Sequence, residues 1–132
     1  MPIIIDGWNL IRNRNSDIDD AEEESLESAH ALISYLEEFQ AAHNDPIVLV
    51  FDSSREHLEL DYTKTKKLTV IAAKDADAYI KRYIDKTPEK QRRNIRVVSS
   101  DNGVYFNAKS SYATPMKCEE FWDKLHRRAD YV

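Results

Sequence analysis

Four aspartates stand where a carboxylate could do chemistry. Asp6 ends the run Ile3-Ile4-Ile5, Asp52 ends Ile47-Val48-Leu49-Val50-Phe51, and Asp101 follows Val97-Val98-Ser99-Ser100. Asp77 falls two residues after Asp75, in the first turn expected of a helix. A single strand-end aspartate is commonly a cap or turn residue. Several brought to one place would repel one another and force some to protonate, unless a cation neutralised them. Oxygen ligands without Cys or His select Mg²⁺ or Mn²⁺, hard ions that keep several waters and commonly bind substrate phosphate. Such an ion lowers the pKa of water, orients it and stabilises the charge that builds on a phosphodiester. Metal-dependent phosphodiester hydrolysis is the chemistry these residues suit.

Other chemistries find less support. His30, His43, His57 and His126 are scattered, and Cys118 is the single cysteine. It can form no internal bridge, which fits a reducing compartment. There is no Gly-x-Ser-x-Gly elbow, P-loop or Gly-x-Gly-x-x-Gly. A dehalogenase-type phosphatase would need Asp-x-Asp after the first strand, where position 8 is Trp. A phosphoacceptor receiver would need an acidic pair there and a lysine after a later strand, and neither is evident.

Elements that could position the four acids are legible. Continuous β-branched runs mark strands covered on both faces, as in a parallel sheet. Besides Ile3–Ile5 and 47–51, Leu68-Thr69-Val70-Ile71 and Ile95-Arg96-Val97-Val98 read this way, making four strands. A helix is expected over Asp19–His43, where Leu26, Ala29, Leu36 and Phe39 recur at helical spacing. Its acidic start, Asp17 to Glu24, suits the positive end of the helix dipole. A second is expected over Asp75–Lys86 with Asp75 as N-cap, and a third over Pro115–Arg128 with Thr114 as N-cap. A short helix should follow Asp101. Strands alternating with helices predict α/β architecture, a three-layer α/β/α sandwich with a central parallel sheet. In such a sheet, ligands bind beyond the carboxyl ends of the strands. Asp6, Asp52 and Asp101 would meet at that edge, with Asp77 facing them. The polar stretch Ser53 to Lys67 reads as a surface excursion.

At 132 residues and 42% hydrophobic, the chain suits one domain, 1–132, with a real core. No N-terminal run is long enough for a membrane span, so a cytoplasmic location is expected. The net charge of −5 hides an asymmetry: residues 1–63 carry 3 bases and 15 acids, residues 64–132 carry 16 and 9. A basic second half can meet a polyanion locally. Lys64, Lys66, Lys67, Lys74, Arg82, Arg92 and Arg93 are candidate phosphate contacts for such a polyanion. Trp8 and Tyr105 are candidates for base stacking, or else for the core.

With these residues in hand, Ile4-Ile5-Asp6-Gly7-Trp8-Asn9-Leu10-Ile11 resembles the opening of the NYN domain, in the YacP-like branch of the PIN-like ribonucleases. The resemblance continues through Val48–Asp52, Ala76-Asp77-Ala78-Tyr79-Ile80, Val97–Asp101 and Glu119-Glu120-Phe121-Trp122, in order over nearly the whole chain. It implies a PIN-like fold and a metal-dependent endoribonuclease acting on RNA that is at least partly single-stranded, with Asp6, Asp52, Asp77 and Asp101 as its acidic cluster. Asp6, Asp77 and Asp101 would be the ligands of Mg²⁺ or Mn²⁺. Asn9 matches the motif's Asn, whose amide orients an acid, contacts phosphate or holds a turn. Ser100 would bond substrate or cap the following helix. The family often has Gly-Glu-Thr-Ala-Asp before the second helix, whereas Lys74-Asp75-Ala76-Asp77 lacks the Glu at that offset. That departure keeps open a non-catalytic module that binds RNA or a protein. A protein or ribosome partner is equally open.

Overall fold

The computed structural model of the protein describes residues 1–18, 25–52 and 67–129. Five strands form one sheet: β1 (Ile3–Asp6), β2 (Ile47–Asp52), β3 (Leu68–Ala73), β4 (Arg96–Val98) and β5 (Thr114–Met116). Their order is β3-β2-β1-β4-β5, and every pairing is parallel. The chain begins at the centre, moves out through β2 to β3, then returns to the other side of β1. Connections therefore diverge between β1 and β4, which makes the carboxyl end of that pair the topological switch point of the sheet.

Side-chain alternation builds two cores. Ile3, Ile5, Ile47, Leu49 and Phe51 face a layer holding Trp8, Leu10 and Ile11 of α1 (Gly7–Ile11), Leu32, Leu36 and Phe39 of α2 (Leu26–Gln40), and Phe121, Trp122 and Leu125 of α6 (Cys118–Ala129). Ile4, Val50 and Val97 point the other way, onto Ala76, Ile80 and Ile84 of α3 (Ala76–Lys86) and Val104 and Ala108 of α5 (Asn102–Ser110). A short α4 (Glu89–Arg92) buries none of its residues. Period-2 alternation on strands covered from both sides is the three-layer sandwich expected.

Three expectations need correction. A fifth strand is present, because Thr114–Met116, expected to open the last helix, instead pairs with Arg96–Val98 at the sheet edge. Pro115 is tolerated there because an edge strand has one unpaired side. The last helix starts at Cys118, whose N–H is capped from a distance by Ser100 Oγ at 3.0 Å. Between β1 and α2, a five-residue α1 begins at Gly7, directly after Asp6. Helix α2 starts at Leu26, with Ser25 as N-cap, and ends at Gln40. Residues 19–24 of the expected helix, and most of the expected excursion with Lys64 and Lys66, lie outside the described residues.

Just beyond α5 and its C-cap Ser111, Tyr112 has φ 70°. Its N–H reaches the Lys109 carbonyl at 3.2 Å, and the Ala113 N–H reaches that of Ala108 at 2.9 Å. This is the Schellman arrangement, whose left-handed position favours glycine.

Candidate active site

The motif Asp6-Gly7-Trp8-Asn9 reads as four jobs at one corner. Asp6 occupies the N-cap position of α1, yet its carboxylate makes no capping bond. It is 8% exposed, and Ser99 Oγ lies 3.2 Å from its Oδ2 as a donor. Gly7 leaves room for Phe51: a Cβ there would lie 2.5 Å from the ring. Trp8 is buried against Phe51 and donates Nε1–H to the Asp52 carbonyl at 2.7 Å, tying α1 to the end of β2. Burial settles Trp8 as core, not as a stacking platform. Asn9 Oδ1 accepts from the Ser100 N–H at 2.7 Å and faces the Cys118 thiol at 3.2 Å and Ser99 Oγ at 3.4 Å. Its amide oxygen therefore holds the β4 exit against α1 and α6.

The segment after β4 is equally committed. Ser99 is fully buried, and besides facing Asp6 its Oγ accepts from the Asp101 N–H at 3.1 Å. Ser100 Oγ caps α6 and donates to Glu119 Oε1 at 3.1 Å, so the helix it caps is α6. Helix α5 is capped by Asp101 itself, whose Oδ1 accepts from the Val104 N–H at 3.0 Å. Asp75 caps α3 as expected, accepting from the Ala78 N–H at 3.0 Å.

Electrostatics show which acids share a field. Burial first, then the charges of Asp77 and Asp101, push Asp6 up to about 6, against the opposing pull of Ser99 and Arg12. Asp77, in the first turn of α3, is also raised, by partial desolvation and then by Asp101, Asp75 and Asp52. Asp6 thus lies in the field of Asp77 and Asp101, and Asp77 in that of Asp101 and Asp52, at the carboxyl edge. Among the described residues, however, no three His, Cys, Asp or Glu side chains are close enough to hold one metal ion jointly.

Some contributors lie outside the sequence-based assignment. Glu119 accepts from Asn13 Nδ2, and that bond, with help from Ser100, holds its carboxyl below the usual range. Arg12 and Arg14 bring positive charge to Asp6 and Glu119 respectively. Glu119 was visible in the motif around Phe121 and Trp122, but its partner Asn13 is 106 residues away in sequence. Cys118 is buried and its thiol is pushed up to about 11, chiefly by that burial, so it is a neutral donor.

The expected phosphate contacts divide. Lys74 follows β3 at the carboxyl edge, and Arg82 is exposed on α3. Lys67 lies at the opposite, amino edge, where its Nζ donates to Asn44 Oδ1 at 2.9 Å. Arg92 spends its guanidinium on the carbonyls of Thr87 and Asp85, and Arg93 just precedes β4. Tyr105 is half-buried beneath Lys117 Nζ, 4.2 Å from its ring centre.

The chain is a parallel α/β/α sandwich with acids at its carboxyl-edge switch point, an arrangement that suits a PIN-like domain. Residues 3–131 match the YacP-like NYN domain, and the chain belongs to that family of PIN-like nucleases. The crystal structure of Rae1 (YacP) from Bacillus subtilis superposes with a TM-score of 0.72 at 21% identity, over 99% of this chain and 78% of that one. A tryptophan-to-leucine mutant of the same protein gives 0.74 at 20% identity, covering 98% and 77%. These likenesses establish the shared fold. No curated protein matches the sequence. Among the described residues, no helix is long and apolar enough to cross a membrane.

Proposed function

We propose that this chain is a divalent-metal-dependent endoribonuclease acting on single-stranded RNA at the carboxyl edge of the sheet. The observation that carries the reading is Asp6: a carboxylate at the switch point, excused from capping and raised first by its burial and then by the charges of Asp77 and Asp101. Carboxylates kept in mutual repulsion at a functional position call for a counter-charge. The donor set fits Mg²⁺ or Mn²⁺, which commonly take one or two carboxylates plus water and substrate phosphate, so a three-carboxylate chelate is not required. One or two of Asp6, Asp77 and Asp101 would hold the ion, with water and substrate phosphate completing its shell. When bound, it would polarise the scissile phosphate and lower the pKa of an attacking water.

The chain's own residues do the positioning. Ser99 holds one oxygen of Asp6. Asp101 gives Oδ1 to the Val104 N–H, which leaves Oδ2 for the site. Asn9 acts through the backbone of Ser100 and is a positioning residue. Asp52 adds negative charge at the end of β2, and Lys74 and Arg82 are the expected contacts to flanking phosphates.

Cleavage of labelled single-stranded RNA in Mn²⁺, Mg²⁺ and chelator tests the reading, with a circular RNA to separate internal cutting from end trimming. Asp101→Asn is the variant of choice because Asn caps a helix as well as Asp does. It should retain binding and lose cutting. The lack of a joint three-ligand cluster among the described residues favours one other reading, a module that binds RNA or protein without cutting. RNA binding with no cleavage in either metal would establish that reading.

A further inference from the structure

At the amino edge of the sheet, opposite the acidic cluster, lies a cavity of about 560 Å³. Phe39 near the end of α2, His43 beyond it, Arg96 at the head of β4, and Lys124 and Arg127 of α6 line it, together with Asp45. Asp45 is already met by the Met1 ammonium, 3.1 Å from its Oδ1. Arg127 pairs with Asp123 at 2.8 Å, but both side chains are about two-thirds exposed, at 63% and 66%. Such a surface pair is weak, and an incoming phosphate competes with it readily. Arg96 and Lys124 have no acidic partner among the described residues.

The second feature is aromatic. The exposed His43 ring lies 4.1 Å from that of Phe39 and within 11° of parallel. Phe39 is buried, so it fixes the orientation of His43 from behind. A flat ring of set orientation beside guanidinium and ammonium groups is the pairing that binds single-stranded nucleic acid: stacking takes the base, and the cations take the phosphate.

We propose that this cavity is a nucleotide-binding exosite, with one base of a single-stranded RNA on His43 and its phosphate among Arg96, Lys124 and Arg127. The choice of RNA rests on the ribonuclease reading; the site itself is separate from the acidic edge. An edge built of carboxylates repels the backbone that it must receive, and a cationic site elsewhere on the same domain supplies affinity without weakening the acidic field.

Fluorescence anisotropy of labelled single-stranded RNA in chelator, across a salt series, tests the proposal. Lys124→Gln combined with Arg127→Gln should weaken binding about tenfold and reduce the slope of log K against log salt by about 0.7, the value of one lost single-strand phosphate. His43→Ala should weaken binding about fivefold or more with the slope unchanged, since stacking carries no charge. These side chains reach the surface, and Lys90→Gln on α4 controls for charge alone. Unchanged affinity and slope in both site variants would overturn the proposal, as would an equal loss in Lys90→Gln. If wild type cuts no RNA in Mn²⁺ while the site variants still shift binding, the ribonuclease reading fails and the exosite stands. If wild type cuts but the variants bind as it does, the exosite alone fails.

Discussion

Asp6 sets the acid–base behaviour of the candidate site. Its folded value of about 6 lies above the ordinary 3.8, so the native protein holds this proton more tightly than the unfolded chain does. Stability therefore declines as pH rises from about 4 to about 6, and the whole penalty is present at neutral pH. Asp6→Asn removes the buried charge and can keep the Ser99 contact. It should raise stability at pH 7.5 by about 1–3 kcal/mol, with the gain shrinking towards pH 4.5. Urea unfolding in chelator at the two pH values measures this, and a variant less stable than wild type at pH 7.5 would refute it. Glu119 works in the opposite sense: its lowered value adds stability above the ordinary 4.5 that is lost on acidification. Adding Mn²⁺ should stabilise wild type and leave Asp6→Asn nearly unmoved. Asp6 and Asp52 were legible because each directly ends an apolar run. Ser99 was not, because its role depends on a partner 93 residues away.

Two backbone positions show how elements hold that corner. Gly7 is the place where α1 approaches β2, and Gly7→Ala would drive a Cβ to within 2.5 Å of the buried Phe51 ring. The cost should be about 1–3 kcal/mol. Phe51→Leu costs stability alone but should restore part of it in the Gly7→Ala background, and strictly additive losses in urea unfolding would dismiss the contact as the cause. Tyr112→Gly should act the other way. Glycine meets no penalty at φ 70°, so a gain of about 0.5–1 kcal/mol is expected by thermal unfolding. The start of α6 shows why some boundaries are hidden in a sequence. Thr114-Pro115 has the local signature of a helix start, yet the capping oxygen comes from Ser100, far back along the chain, and Thr114–Met116 is used as an edge strand instead. Asp75 caps its own helix, a local interaction, and was legible.

For the whole molecule, the four longer apolar runs suffice to foresee a central parallel sheet with acids along one edge, because covered strands leave no freedom about which residues are apolar. Charge was less transparent. Division of the sequence into an acidic and a basic half suggests two separate regions, but the fold divides the basic half: Lys74 joins the acidic edge, whereas Lys67, Arg96 and Lys124 lie at the other. Three-dimensional placement depends on strand order, which a single sequence does not encode in its composition.

Cys118 stands where α1, α6 and the β4 exit meet, with its thiol 3.2 Å from Asn9 Oδ1. As the chain's one cysteine, it is a built-in clock for how often that junction comes apart. An alkylating reagent can reach the sulfur only during an opening, and the high thiol pKa slows the reaction further by keeping the thiolate scarce. Labelling under native conditions should run at least about 100-fold slower than in urea, with a rate that reports the opening equilibrium. Asn9→Ala, which removes the amide oxygen shared by Ser100 and Cys118, should speed it severalfold before any loss of overall fold is detectable. Native labelling as fast as in the unfolded chain would mean that the wall behind the acidic edge stands open most of the time.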